Sequence, residues 1–288
     1  MSNSRRNFLK LSGLSALGLA MPGKNFSSIM NDTLFAEQKI KQFGIQLWTV
    51  KEDLAVNAKE TLKQIASYGY KQIESFEGKQ GIFWGMKNTE FKSYMDELGM
   101  KIISSHCETK TDFERKAAEA AAIGMKYLIC PYKGPQKSID DFKRFADEFN
   151  KNGETCKKNG IRFAYHNHDY SWKQLDGQIP QEVMMDNTDK DLVDFEMDIY
   201  WVVAAGVDPQ VYFKKYPNRF RLCHVKDLGK TAIGSESVHL GKGTIDFHSI
   251  LKTGKENGLE YYIVEQEAFT NTTPLASAKV DADYLKAF

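Results

Sequence analysis

Carboxylate and imidazole side chains end six short apolar runs along this 288-residue chain. Each run has the length and composition of a buried strand, and its last residue is of a type that can bind a divalent metal ion. Because the carboxyl ends of parallel strands meet at one face of an α/β protein, we expect the six side chains to converge on one site. They are Glu74, His106, His166, Asp198, His224 and Glu265.

Three of these residues, Asp198, His224 and Glu265, end the last three runs and are the first candidates for metal ligands. Imidazole nitrogen and carboxylate oxygen suit Mn²⁺, Mg²⁺, Co²⁺, Fe²⁺ or Zn²⁺, and they argue against a sulfur-rich structural site. A divalent ion there would polarise a sugar carbonyl or hydroxyl and stabilise an enediolate. The alternative is a set of unrelated polar residues at strand ends, which is less expected for three successive strands.

Two imidazoles, His166 and His168, follow the fifth run. We expect only one of them to face the mouth of the site and assign that place to His166, with His168 behind it or toward substrate. Glu74 and His106 are expected to contact substrate or to transfer protons, with a purely structural role as an equal alternative. Lys226, two residues beyond His224, is a candidate to hold a hydroxyl or an oxyanion, unless it is a solvated loop residue.

Tryptophans near strand ends are candidates for the apolar wall on which a sugar ring stacks, and we assign this substrate-binding role to Trp48 and Trp201. Most of the aromatic residues are expected to fill the core. The 39 basic and 38 acidic residues nearly cancel. No basic stripe or acidic tail is present, so the composition argues against nucleic acid and charged membrane surfaces as partners.

Apolar runs alternate with amphipathic helical patterns at a period of about 30 residues, which favours a parallel sheet. Eight such units over residues 39–288 predict an α/β fold, a (β/α)₈ TIM barrel in a single domain. A doubly wound open sheet is the alternative, but the first run lacks the glycine-rich phosphate loop that usually follows it. The predicted strands are 43–48, 72–76, 101–106, 127–130, 161–166, 193–198, 220–225 and 261–265.

The first 38 residues have the pattern of an export signal followed by a linker. Arg5 and Arg6 precede Phe8-Leu9-Lys10, and a short, mildly apolar stretch with small residues follows. Paired arginines in this context resemble a twin-arginine signal, which predicts the Tat export machinery as a partner and the periplasm as the location. An amphipathic N-terminal helix is the alternative.

The four cysteines are Cys107, Cys130, Cys156 and Cys223, and no CxxC pair is present. Three lie in or beside predicted strands, where free cysteine behaves as a small buried hydrophobe. We therefore expect thiols, with a Cys107–Cys130 bridge as the alternative, because export permits disulfides.

Three segments together resemble the xylose isomerase-like barrels, which include sugar phosphate isomerases, epimerases and inosose dehydratases. The segments are His224-Val225-Lys226-Asp227, the turn Gly241-Lys242-Gly243-Thr244-Ile245-Asp246 and Val264-Glu265-Gln266-Glu267. The opening residues 44–50 fit the same group, so the resemblance covers residue 43 to the end. It implies a divalent metal ion held by residues of strands five to eight, with His166, Asp198, His224 and Glu265 at the ligand positions.

The fifth strand departs from the epimerase pattern, in which Glu-Asn-His is usual. Here the triplet is His166-Asn167-His168, so His166 stands where the resemblance implies a carboxylate that is both ligand and catalytic base. Glu265 is then the one remaining carboxylate for two-base epimerisation. Trp201 likewise stands where a His often follows the aspartate of the sixth strand. Ordinary 3-epimerisation of a keto sugar is therefore disfavoured.

The sequence predicts an exported, divalent-metal-dependent sugar isomerase or epimerase that transfers a proton next to a carbonyl, with Glu265, His166 and Lys226 as its catalytic residues. The alternatives are a lyase that cleaves keto-glycosides by elimination and a non-catalytic exported sugar-binding protein. Metal-dependent phosphodiester hydrolysis is disfavoured by the neutral charge. The expected partner is a small sugar or sugar derivative, and a homo-oligomer is compatible with the sequence.

Overall fold

A computed structural model describes residue 40 and residues 42–231 and 234–288. The predicted signal and linker at 1–38 therefore lie outside the described residues. Among the helices that the structure describes, none is both long and apolar enough to cross a membrane.

Eight parallel strands close into a barrel, which confirms the predicted (β/α)₈ fold. These are β1 (Gly44–Gln46), β2 (Gln72–Phe76), β3 (Lys101–His106), β4 (Tyr127–Cys130), β5 (Arg162–His166), β6 (Val193–Asp198), β7 (Phe220–Val225) and β10 (Tyr261–Val264). Each strand pairs with the next around the barrel, and β10 closes it against β1. Five strands, β2, β3, β4, β6 and β7, have the predicted bounds.

An antiparallel hairpin of β8 (Asp227–Thr231) and β9 (Gly234–Val238) lies outside the barrel sheet, directly after β7. The sequence analysis did not predict this hairpin, because the polar residues and glycines of its strands lack an apolar period. Because these two strands precede it, the last barrel strand, predicted as the eighth strand, is the tenth strand of the chain.

Helices cover the outside of the barrel and alternate with its strands, as the amphipathic patterns predict. They are α1 (Lys51–Ser67), α2 (Asn88–Glu97), α3 (Phe113–Ala122), α4 (Ile139–Lys158), α5 (Pro180–Asp186), α6 (Ile199–Ala204), α7 (Pro209–Lys215), α8 (Phe247–Glu256) and α9 (Pro274–Ala287). Proline stands in the first turn of α5, α7 and α9, where its missing N–H costs nothing. Trp48, predicted in the first strand, lies instead on a short 3₁₀ turn that follows β1.

The barrel interior is layered by the period-two alternation of its strands. A small apolar cluster of Ile129, Ala164, Leu222, Ile263 and Tyr127 forms inside it, separate from the large core between the strands and the helices. Two residues beyond Ala164, Leu222 and Ile263 stand His166, His224 and Glu265. The polar side chains therefore share the inward face with the apolar cluster and lie nearer the carboxyl ends of the strands.

Gly153, in the last third of α4, marks a close approach of this helix to Leu192, just before β6. A Cβ atom there would lie 2.8 Å from both the Cβ and the carbonyl oxygen of Leu192. We expect Gly153→Ala to lower the free energy of unfolding by about 1–3 kcal/mol, because the added methyl overpacks this contact. Urea unfolding followed by circular dichroism measures the change. Lys151→Ala, on the exposed side of the same helix, should stay within about 0.5 kcal/mol, and equal midpoints for both variants would contradict the prediction.

Candidate metal centre and its cavity

The four predicted ligands meet at the carboxyl end of the barrel and are called the outer set here: His166, Asp198, His224 and Glu265. His224 Nδ1 lies 3.2 Å from Glu265 Oε2 and 3.2 Å from His166 Nε2. Asp198 Oδ2 lies 3.5 Å from His166 Nε2 and 3.7 Å from His224 Nδ1. All four residues are buried.

The spacing of the outer set fits a divalent ion. Bonds of about 2.1 Å to a tetrahedral ion would place neighbouring ligand atoms about 3.4 Å apart. Two nitrogens, His166 Nε2 and His224 Nδ1, face each other, and Asp198 Oδ2 is buried without a hydrogen-bond partner. Hydrogen bonds alone therefore leave part of the set unsatisfied, whereas two imidazoles and two carboxylates match the ligand preference of divalent ions.

Backbone contacts fix the outer set from behind. His166 Nδ1 lies 3.3 Å from the carbonyl oxygen of Pro131, which directs Nε2 toward the set. Asn167 joins β5 to β6, because its amide donates to the carbonyl oxygen of Asp198 and its Oδ1 accepts the N–H of Asp198. Asp198 also caps α6, where its Oδ1 accepts the N–H of Trp201. Asn167 had no predicted role, and its place between two candidate histidines was the available signal.

A second group of buried polar residues lies on the other side of His224 and is called the inner set: Glu74, His106 and Glu196. His224 Nε2 lies 2.8 Å from Glu74 Oε1, and His106 Nε2 lies 2.8 Å from Glu196 Oε2. Each short contact joins an imidazole nitrogen to a carboxylate oxygen and is a hydrogen bond, while Glu196 Oε1 is buried without a partner. The inner set thus orients His224 through the nitrogen that the outer set does not use.

Glu74 was expected at the end of its strand but lies in the middle of β2 and does not line the cavity, which favours the structural alternative over contact with substrate. Its side chain is fully buried, and its two oxygens accept hydrogen bonds from Gln46 Nε2 at 2.7 Å and Ser104 Oγ at 2.6 Å. Glu74 therefore acts on the site through His224 and His106. Gln46 and Ser104 were missed, although a polar residue in a short buried strand was a signal that each offered.

Burial and the neighbouring carboxylates act in opposite directions on the pKa values of the imidazoles in the outer and inner sets. Burial alone would lower the pKa of His224, but the carboxylates of Glu196 and Glu265 hold it well above its usual range. Burial likewise opposes the carboxylates of Glu74 and Glu196 at His106, where the carboxylates prevail and raise the pKa to about 9. Burial and the charge of Glu74 raise the pKa of Glu196 to about 7. A divalent ion held by the outer set would therefore compete with a proton for His224.

A cavity of about 350 Å³ opens above the outer set, within the size range of small-molecule sites. Five predicted site residues line it: Trp48, His106, His166, His168 and Glu265. The other lining residues are Phe76, Glu77, Cys107, Glu108, Pro131, Tyr132 and Glu267. Tyr132, Glu77 and Glu108 were missed because they lie in loops after the strands, beyond the reach of a strand-end pattern.

The expectation that only one of the two imidazoles after β5 faces the mouth is wrong. Residues two apart on an extended chain share a face, and both His166 and His168 line the cavity, with ring centroids 4.9 Å apart. Burial lowers the pKa of both imidazoles, that of His168 to about 3, so both are neutral. Trp201 does not line the cavity; its ring lies 5.5 Å from that of His168 and supports it from behind.

Lys226 is placed differently from the prediction that it holds a substrate oxygen. Its side chain is 1% exposed and does not line the cavity. Its Nζ lies 3.1 Å from Glu265 Oε2 and 3.5 Å from Asp198 Oδ2, and it is also paired with Glu267. Burial would lower the pKa of Lys226, but these carboxylates outweigh burial and raise it. The ammonium is therefore a fixed charge beside the outer set.

The glycine turn that carried part of the resemblance is a backbone clamp around Asp227. The carboxylate accepts the N–H groups of Gly241 and Gly243, each at 2.9 Å, and those of Leu228 at 2.8 Å and Ile245 at 3.3 Å. A Cβ atom at Gly243 would lie 2.2 Å from Asp227 Oδ1, so a side chain there would displace the carboxylate. The clamp holds the segment directly after His224 and Lys226.

All four cysteines are free and buried, which confirms the prediction of thiols and makes the Cys107–Cys130 bridge wrong. Burial raises the pKa of the Cys130 thiol to about 11 and also raises that of Cys107, which lines the cavity. Neither thiol therefore has the lowered pKa that activates a cysteine nucleophile.

A family model described as the xylose isomerase-like TIM barrel matches residues 62–288. Inosose dehydratase of Clostridium perfringens is 32% identical over 195 residues, which cover 62% of this chain and 61% of the relative. Inosose dehydratase of Lacticaseibacillus casei is 23% identical over 249 residues, which cover 73% of this chain and 81% of the relative. The chain thus spans about three-fifths of the first of these relatives.

Solved structures give a consistent result for the fold. A sugar phosphate isomerase/epimerase from Parabacteroides distasonis is 28% identical with a TM-score of 0.74, and the match covers 88% of this chain and 96% of that chain. The IOLI protein with a zinc atom is 14% identical with a TM-score of 0.68, over 85% and 98% of the two chains, which shows the fold alone.

Metal content tests the outer set. We expect about one divalent ion per chain in the wild type and less than a tenth of that in Asp198→Asn, because the variant loses a charged ligand whose Oδ2 has no hydrogen bond. Elemental analysis after loading with Mn²⁺ or Zn²⁺ and desalting gives the number. Asp194→Asn, in the same strand but paired with Arg162 outside the set, is the matched control and should keep its ion. Full metal retention in folded Asp198→Asn would contradict the assignment.

Proposed function

Because the chain belongs to the xylose isomerase-like TIM barrel family, we propose that it is a divalent-metal-dependent enzyme that removes a proton next to a carbonyl of a sugar or sugar derivative. One observation carries the proposal. The outer set opens into the cavity through two of its members, His166 and Glu265, so a substrate in the cavity would lie directly against the set. An ion bound only for stability would need no such opening.

The outer set supplies both the metal position and the base. A divalent ion held by His166, Asp198, His224 and Glu265 would place positive charge beside a carbonyl oxygen and so make the neighbouring C–H more acidic. Glu265 is the one carboxylate of the set that lines the cavity. Its Oε2 faces His224 and Lys226, which leaves Oε1 as the atom proposed to take the proton.

Elimination is the outcome that we favour for the second step. His106 lines the cavity, and its Nε2 is held 2.8 Å from Glu196 Oε2, an arrangement typical of an acid–base imidazole. After Glu265 takes the proton, the electron pair would form a C=C bond and expel the neighbouring oxygen substituent. His106 would give that oxygen its proton. The named activity of the inosose dehydratase relatives, removal of water, is of the same kind.

Isomerisation or epimerisation is the second candidate and shares the first step. In that case a proton returns to the same or the neighbouring carbon and no bond to oxygen breaks. Solved structures at 28% and 29% identity are named sugar phosphate isomerase/epimerase, which supports this candidate. His166 in place of a carboxylate disfavours it, because two carboxylates are not available on opposite sides of the carbon.

The cavity wall supports a substrate without phosphate. Four carboxylates line it, and no lysine or arginine is among its described lining residues. A phosphate group would therefore meet negative charge and no cationic partner. Trp48 and Tyr132 are 40% and 55% exposed and offer aromatic faces for the apolar side of a sugar ring.

We further propose that the enzyme acts in the periplasm. This rests on Arg5 and Arg6 and on the short apolar stretch after them, and a substrate without phosphate suits a compartment outside the cytoplasm. A sugar-binding protein without catalysis would share the location, so turnover separates the two functions.

Solvent deuterium exchange tests the proposed first step. Purified protein loaded with Mn²⁺ is incubated in D₂O with keto-cyclitols, 3-keto-glycosides and free ketoses, and deuterium is followed by mass spectrometry. We expect exchange or an enone product with at least one of these classes. Glu265→Gln should slow it by a factor on the order of 100 to 10,000 at equal metal content. Glu260→Gln, in an exposed pair with Arg221, is the matched control and should not change the rate.

The products decide between the two outcomes. A product with ultraviolet absorbance of an enone and a released alcohol or water supports elimination, and a deuterated isomer supports isomerisation. Binding of these compounds without exchange or product would contradict the enzyme and leave a sugar-binding protein.

Export is tested separately. We expect replacement of Arg5 and Arg6 by lysine to keep the precursor in the cytoplasm, because the twin-arginine machinery reads the paired guanidinium groups. Cell fractionation and immunoblotting measure the distribution. Lys10→Arg is the control and should be exported as the wild type is. Equal periplasmic amounts of all three proteins would contradict the signal.

A further inference from the structure

Lys226 places its ammonium among three carboxylates in a closed part of the barrel. Its Nζ lies 3.1 Å from Glu265 Oε2 and 3.5 Å from Asp198 Oδ2, and it is in contact with Glu267 Oε2. The rings of Tyr200 and Trp201 flank it, with centroids 5.0 and 5.1 Å from Nζ. The ammonium therefore fills a small cation site built from oxygen ligands and aromatic faces.

This cation site shares two ligands with the outer set. Glu265 and Asp198 face Nζ on one side and the imidazoles of His166 and His224 on the other. Carboxylates that bridge two cations about 3.5–4 Å apart are the usual framework of two-metal centres. Glu267 adds a carboxylate that pairs with Lys226, lies outside the outer set and also lines the cavity.

The charges fit one divalent ion together with one ammonium. The three carboxylates of Asp198, Glu265 and Glu267 carry three negative charges, which an ion in the outer set and the Lys226 ammonium cancel in full. The ammonium is covalently part of Lys226, so it stays in place. A second divalent ion about 3.5–4 Å from it would be strongly repelled. The lysine thus excludes the ion that its surroundings would otherwise bind.

We propose that the Lys226 ammonium occupies the second cation position of a carboxylate-bridged centre, so that the wild type holds one divalent ion and loss of the lysine opens a second metal site. The inference rests on the proposed metal centre and adds to it the number of ions. It also bears on the chemistry. An ammonium cannot activate water as a second divalent ion does. A lysine in place of the second ion therefore suits proton transfer and disfavours hydrolysis.

Metal stoichiometry tests the proposal. The full chain is stripped of metal, loaded with Mn²⁺ and desalted, and manganese per chain is measured by elemental analysis. We expect one ion in the wild type and two in Lys226→Ser, with the exchange-coupled electron paramagnetic resonance spectrum of a manganese pair. Lys226→Ser combined with Glu267→Gln should return to one. Lys116→Ser is the matched control, because Lys116 is also buried and pairs with Glu77 away from the outer set.

Unfolding temperatures give a second readout, which does not depend on counting bound ions. Without metal, Lys226→Ser should unfold at a lower temperature than the wild type, because its buried carboxylates lose their counter-charge. Added Mn²⁺ should raise its unfolding temperature by more than that of the wild type, since two ions bind in place of one.

Two results would overturn the proposal while leaving the metal centre intact. These are one ion in Lys226→Ser at saturating Mn²⁺ with no greater stabilisation than the wild type, or two ions in the wild type itself. A wild type without any bound ion would overturn the metal centre of the proposed function and this inference with it.

Discussion

His224 is the residue on which the rest of the site depends. Its Nδ1 faces His166 and Glu265, and its Nε2 is held by Glu74. The imidazole of His224 thus joins the candidate metal ligands of the outer set to the hydrogen-bonded residues of the inner set. Because each nitrogen has a different set of partners, the ring cannot rotate without breaking both, and its orientation is fixed before any ion or substrate arrives.

The same arrangement requires the barrel to bury several charges close together. Asp198 and Glu196 are fully buried, and an isolated carboxylate in such a place would be strongly destabilising. The structure compensates with imidazoles between the carboxylates and with the ammonium of Lys226 beside them. Each charge is therefore stabilised by the others, so that removal of one partner affects the whole group. Such interdependence is typical of sites whose geometry must be kept for chemistry.

The histidine at position 166 separates this site from a two-carboxylate epimerase. His166 contributes a neutral nitrogen where the resemblance implies a glutamate, and its neighbour His168 is also neutral. In the proposed mechanism the acid–base roles then belong to Glu265 and His106, which line the cavity from opposite parts of the chain. The hairpin after β7 and the clamp around Asp227 hold the chain beside His224, so the motif that carried the resemblance is structural support for the site.

The sequence alone determined the barrel and the outer set, because strand ends in a parallel barrel converge and period-two patterns show which residues end them. The sequence did not determine how deep each side chain lies in the barrel. Glu74 and His106 were both expected at strand ends, yet Glu74 lies in the middle of β2 and is buried beneath the site, whereas His106 ends β3 and lines the cavity. Nor did it show that Lys226 is enclosed by carboxylates from β6 and the segment after β10, or that Tyr132 reaches the cavity. These features depend on the stagger of the strands and on loop paths, which only packing in three dimensions fixes.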